Sequence, residues 1–218
     1  MTVSLDLRVT ELLASRICHD LISPVGAINN GVELLEEMGA QVGEEAVKLI
    51  GHSADMASRR LRLFRVAYGS AGAAGSLSCD EVLTTMRDYV SGSRVSLSWD
   101  AAKMKNIPGA PAGSAKVLLN MVIIAFEALV HGGSIEVSYA DNSNNISILA
   151  VGRGAGARDE AWLPLKGEVA VTELSAKSVH PYVTGQFAKH YGLTLSHAQE
   201  PDDRLTLGVS FVPAVTPA

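Results

Sequence analysis

The stretch Cys18-His19-Asp20-Leu21-Ile22-Ser23-Pro24 holds the residues whose types and spacing best fit chemistry. A neutral imidazole is a competent nucleophile near pH 7. An acid directly after it, Asp20, can hold the ring or its proton, although adjacent helical residues do not share a face. At about 100° per residue, His19 points away from Leu21 and Ile17. Arg16, Ser23, Gly26 and Asn30 fall on its side, which makes that face polar and small. Gly26 leaves room for a partner to come close. Arg16, one turn earlier, could pair with an anionic group. Arg62 and Arg65, on the next helical segment, fall at the level opposite His19. Each of these residues has a plainer reading as solvated surface, and the pattern alone leaves both open.

The remaining histidines and the cysteines suggest less. His52, His131, His190 and His197 lack helical ligand spacing and read as structural or surface residues. His180, just before Pro181, is expected to cap a helix. Cys18 is expected near a bundle core. Cys18 and Cys79 are far apart with no metal-like spacing, which fits free thiols in a reducing compartment. No Ser-His-Asp order or metal motif stands out.

The element that must position His19 is a long amphipathic helix over residues 5–37. Leu13, Ile17, Leu21, Pro24, Ile28, Val32 and Leu35 recur at spacings of three and four, a core-facing stripe. Pro24 lies in mid-helix and is expected to bend it. Residues 38–43 make a turn. A second helix over residues 44–68 faces inward with Ala46, Ile50, Ala57, Leu61, Phe64 and Tyr68. The short connection makes the two helices antiparallel neighbours. Two helices leave apolar surface open, so a homodimer closing a four-helix bundle is expected. Residues 69–76, rich in Gly, Ala and Ser, read as a linker. Two domains follow: 1–70, a dimerising helical hairpin, and 77–218, an α/β unit. The expected class is α+β.

In the second unit, Ser78 and Glu81 form a capping-box pattern opening a helix. Residues 94–99 alternate as a strand, 114–130 form an apolar helix, and two strands follow at 133–140 and 145–152. Residues 181–191 read as a helix, and two closing strands end the chain.

The 218 residues suffice for a real core, and 47% are hydrophobic, which excludes a disordered chain. The net charge of -5 offers no basic field for nucleic acid or an anionic membrane. Residues 117–130 are too short to span a bilayer. No charged segment followed by an apolar core opens the chain, so no secretory signal is expected and a cytoplasmic location is.

HDLISP resembles the phospho-acceptor box of sensor histidine kinases, His-Glu/Asp-x-x-Thr/Asn/Ser-Pro, on the first helix of a dimerising hairpin. His19, Asp20, Ser23 and Pro24 fill its four defined positions. The order of elements after the hairpin resembles the ATPase domain of those kinases. The nucleotide motifs do not follow. In Asn120-Met121-Val122-Ile123-Ile124-Ala125, Ile124 stands where such kinases carry a Mg²⁺-ligating Asn, and an aliphatic chain has no oxygen to offer. Gly152-Arg153-Gly154-Ala155-Gly156 keeps glycines but lacks the adenine-reading Asp. The later glycine-rich phosphate loop has no counterpart.

A phospho-acceptor hairpin joined to a degenerate ATPase-like domain resembles the ChpT-type histidine phosphotransferases of α-proteobacteria. CHDLISP, Arg65–Gly69 and His180–Gly185 carry the resemblance. It implies a phosphohistidine relay through His19 between receiver-domain aspartates of a hybrid histidine kinase and of response regulators. It further implies a homodimer that binds no ATP and has no cofactor of its own, Mg²⁺ residing on the receiver. Two alternatives remain at this point: a divergent ATP-dependent kinase, and a non-catalytic dimeric scaffold or kinase inhibitor.

Overall fold

A computed structural model describes residues 6–38, 43–70, 77–99, 107, 110–139, 144–156 and 159–212. Residues 39–42 of the expected turn and 71–76 of the expected linker lie outside them. The class is α+β.

Helices α1 (Leu7–Met38) and α2 (Gly43–Tyr68) form the antiparallel hairpin. Pro24, Leu13, Ile17, Leu21, Ile28 and Leu35 are buried or half-buried, Leu13 against the cluster that joins hairpin to sheet domain. Val32 is exposed and does not belong to that stripe. In α2 the inward set also differs from expectation at one position. Leu61 is 54% exposed, whereas Leu63, Val66 and Ala67 are buried in the core of the following domain. The last turns of α2 face two neighbours, α1 and the sheet domain, so no single helical stripe describes them.

Helix α3 (Cys79–Val90) begins as expected: the Ser78 hydroxyl accepts from the Glu81 N–H at 3.1 Å. The described strands β1 (Val95–Trp99), β2 (Gly133–Tyr139), β3 (Asn145–Val151), β4 (Leu193–Glu200) and β5 (Arg204–Phe211) form one sheet in the order β1-β2-β3-β5-β4. The β1–β2 pair is parallel and the others antiparallel, with Leu97 beside Ile135, Val137 beside Ile148, and Ile148 beside Leu207. The parallel pair requires a crossover, supplied by α4 (Ser114–Glu127).

Ile135 and Val137, Ile146 and Ile148, Leu205, Leu207 and Val209 bury one face of the sheet. Helix α4 lies on it and is buried almost all round, which explains its run of apolar residues. Helix α5 (Asp159–Lys166), which contains Pro164, and a 3₁₀ turn at Val171–Glu173 precede α6 (Val179–Tyr191). Short α5 has too few turns for periodicity to mark it in the sequence.

A second apolar cluster joins hairpin to sheet domain. Val9 of α1 packs with Leu174, Val179 and Val183. Arg8 donates to the carbonyls of Val171 at 3.1 Å and Leu174 at 3.0 Å. The start of α1 and the end of α2 are thus both fastened to the sheet domain.

Candidate functional site

His19 projects from α1 with 88% of its side chain exposed. Its Nδ1 lies 3.2 Å from the Asp20 carboxylate. The two Cβ atoms leave the helix about 100° apart, but the short aspartate reaches round to the ring. With the proton on Nδ1 donated to Asp20, Nε2 presents its lone pair to solvent, the arrangement a nucleophilic imidazole needs.

The other expected site residues divide. Ser23 is exposed beside His19, and Gly26 is half-buried with no atom within 4 Å of where a Cβ would stand. Arg62 and Arg65 are exposed on α2, and Arg62 lies 3.9 Å from Asp88 of α3. Arg16 does not join the open face. Its side chain is 13% exposed, and its Nη2 donates to the Glu127 carboxylate at the end of α4. The guanidinium is already engaged one turn below His19. Burial opposes its charge, while Glu127, Tyr68 and Asp20 hold it in place; the net effect is a pKa above the usual arginine value. The Glu127 carboxyl is itself raised by desolvation, against the pull of Arg16.

A chain of buried polar groups continues behind Arg16. The Tyr68 hydroxyl, at the end of α2, lies 2.8 Å from Nδ1 of His180, and Nε2 of His180 lies 3.3 Å from the Asn120 carbonyl. His180 is completely buried. Desolvation, with Arg16 adding to it, pushes its pKa down to about 3, so the ring is neutral. It does not cap α6 as expected; it lies inside the first turn and bridges α2 and α4. Burial raises the Tyr68 hydroxyl likewise.

The carbonyls that α2 leaves unpaired at its C-terminus are filled from α4. The Asn120 amide donates to Ala67 at 3.1 Å, and Lys116 donates its ammonium to Gly69. A cation is favoured at that end of a helix, and Lys116 also stands 4.5 Å over the Phe187 ring. Asn120, the Asn that a kinase-like motif would supply, here fastens two elements together.

His19 and Asp20 border a cleft of about 660 Å³ between the hairpin and the sheet domain. Its far wall includes Ile124, Gly154, Gly156, Lys177 and Pro181. Ile124 is buried. Arg60 of α2 also lines the cleft, and its Nη1 donates to the Asp20 carbonyl.

Sequence reasoning did not find Glu127, Arg60 or the Tyr68–His180 link. The signals for them were Glu127 and Asn120 interrupting an apolar run, and Pro24, which withholds an N–H. The other histidines are peripheral: His52, His131 and His190 are exposed, and His197 stacks on Trp162 at 4.1 Å. Cys18 is exposed in the single chain.

The sequence profile of the histidine phosphotransferase C-terminal domain matches residues 79–203. Over 195 residues the chain is 38% identical to the protein phosphotransferase ChpT of Brucella abortus (strain 2308), covering 88% of this chain and 90% of that protein. Among solved structures it is similar to a bacterial phosphotransferase, with a TM-score of 0.75 and 31% identity, covering 96% of this chain and 98% of that one.

Proposed function

Because the chain belongs to the histidine phosphotransferase family, we propose that His19 is its phospho-acceptor. On this reading it relays a phosphoryl group between receiver-domain aspartates of a hybrid histidine kinase and of response regulators. The observation that carries this reading is the exposed His19 ring with its Nδ1 turned to Asp20 and Nε2 left free.

In the forward step Nε2 attacks the phosphorus of a receiver's aspartyl phosphate in line. The P–N bond forms as the P–O bond to the aspartate breaks, and the carboxylate leaves. The Nδ1 proton stays on the ring, and Asp20 stabilises the positive charge the ring acquires. A carboxylate on a second receiver then attacks phosphorus, and His19 departs as the neutral Nδ1–H tautomer. The receiver brings Mg²⁺, which neutralises charge on the phosphoryl oxygens; this chain supplies orientation. Ser23 and Gly26 keep the approach to His19 open. Arg62 and Arg65, exposed on the next helix, offer cations to an acidic receiver surface. Arg16 acts by holding the His19 turn against the sheet domain, since its guanidinium is engaged with Glu127.

ATP plays no part on this reading. The wall of the cleft offers buried Ile124 where a metal-binding oxygen would be needed, and in the sequence Gly152 stands where an acid would read adenine.

The active species is a homodimer. Ile22, Val25 and Val32 of α1 and Leu61 of α2 leave apolar surface exposed on the hairpin. A second hairpin would cover it and complete a four-helix bundle. Cys18 lies four residues before Ile22, on the same side, and is expected in that interface. Among the described residues no helix is long and apolar enough to cross a membrane, and we place the protein in the cytoplasm with its receivers.

The test is transfer of labelled phosphate from a receiver domain phosphorylated with acetyl phosphate. The natural chain should acquire acid-labile, alkali-stable label, and His19→Ala should acquire none. Label on His19→Ala would refute the assignment. Label taken directly from ATP and Mg²⁺ would favour the kinase alternative.

A further inference from the structure

Pro24 has no N–H, so the carbonyl four residues earlier, that of Asp20, has no helical donor to accept from. Helix α1 nevertheless runs unbroken through Pro24, which is buried. A partly buried main-chain carbonyl left without its helical donor is stabilised by a donor from elsewhere. Arg60 provides it: the half-buried guanidinium reaches across from α2 and donates through Nη1 to the Asp20 carbonyl.

We infer that Arg60 is a positioning residue for phosphoryl transfer at His19, filling from the neighbouring helix the carbonyl that Pro24 leaves unpaired. The inference rests on the reading that His19 accepts the phosphoryl group. The peptide unit fixed by Arg60 is that of Asp20, whose carboxylate faces the His19 ring. Without the donor, the carbonyl tilts toward water and takes the Asp20 side chain and the His19 turn with it. Displacements of this kind, of about 1 Å, cost as much as about 100-fold in rate. Arg62 and Arg65, at the same helical level by sequence, are exposed. Arg60 is the arginine of α2 that meets α1 at the proline's unpaired carbonyl.

The experiment is a double-mutant cycle in the full chain, reading the rate at which label leaves a receiver domain phosphorylated with acetyl phosphate. Arg60→Met should slow transfer about tenfold or more, and Arg60→Lys, which still donates, should retain most of it. In a Pro24→Ala background residue 24 supplies the missing N–H, and Arg60→Met should then cost less than about twofold. Equal losses in the two backgrounds would overturn the inference and leave the His19 assignment standing. The carbonyl ¹³C resonance of Asp20 reads the bond without any transfer. It should move upfield in Arg60→Met and stay in place when the same change is made beside Pro24→Ala; an unmoved resonance in the single variant overturns the inference. A natural chain that takes no label removes the reaction to be positioned and overturns both the inference and the reading beneath it.

Discussion

Arg16 of α1 donates to the carboxylate of Glu127 at the end of α4, so the helical turn carrying His19 is tied to the sheet domain by an ion pair. A desolvated guanidinium that loses its partner costs more than the pair contributes. Glu127→Ala should therefore lower stability by about 1–3 kcal/mol. Glu127→Gln, which keeps an acceptor oxygen, should cost less. Urea unfolding checks both; an unchanged midpoint for Glu127→Ala would show that the pair fastens nothing.

His180 makes the protein sensitive to acid. Its folded pKa of about 3 lies below the ordinary histidine value of 6.5, so below pH 6.5 the unfolded chain binds a proton that the folded chain refuses. Stability from this group is complete above pH 6.5 and is lost as pH falls toward 3, at about 1.4 kcal/mol per pH unit. His180→Gln lacks that proton uptake. The natural chain should be the more stable at pH 7, and the gap should narrow steadily at pH 6, 5 and 4. A constant gap would mean that His180 is not held neutral.

The exposed apolar face of the hairpin separates dimerisation from folding. Ile22 is 70% exposed in the single chain, so Ile22→Glu should yield a folded monomer. Leu21→Glu or Ile28→Glu should damage the hairpin as well, because an unpaired buried charge is costly. Sedimentation and circular dichroism report the two properties. A monomeric natural chain at micromolar concentration would contradict the bundle.

The hairpin was legible because α1 and α2 are long enough for a helical period to show, and the strands because they alternate. The errors have a common physical cause. Leu61 is exposed, against expectation, because the end of α2 packs on two bodies at once and buries Leu63 instead. Helical angle places Arg16 on the polar side but says nothing of what covers it; α4 supplies Glu127 from 111 residues away in sequence. Arg60 follows from Pro24 once the backbone acceptors are counted, but identifying the donor requires knowing which arginine of α2 lies at that level.

Nucleotide binding should be absent. Titration calorimetry with ATP and Mg²⁺ should give no heat of binding, because Ile124 and Gly152 stand where the kinase-like pattern needs polar groups. Micromolar affinity would overturn this and revive the kinase alternative.

His19 itself should matter to the reaction and little to the fold. Its ring is largely in water, so His19→Ala should change stability by no more than about 0.5 kcal/mol, and His19→Gln should still bind the receiver. Asp20→Asn should slow transfer without abolishing it, because on the proposed mechanism the acid orients the ring and the attacking nitrogen belongs to His19. The most direct measurement is a ¹H–³¹P correlation spectrum of the chain after transfer from a phosphorylated receiver. A single phosphohistidine with phosphorus on Nε2 of His19 is expected; phosphorus on Nδ1, on His180 or on any other residue would contradict the assignment.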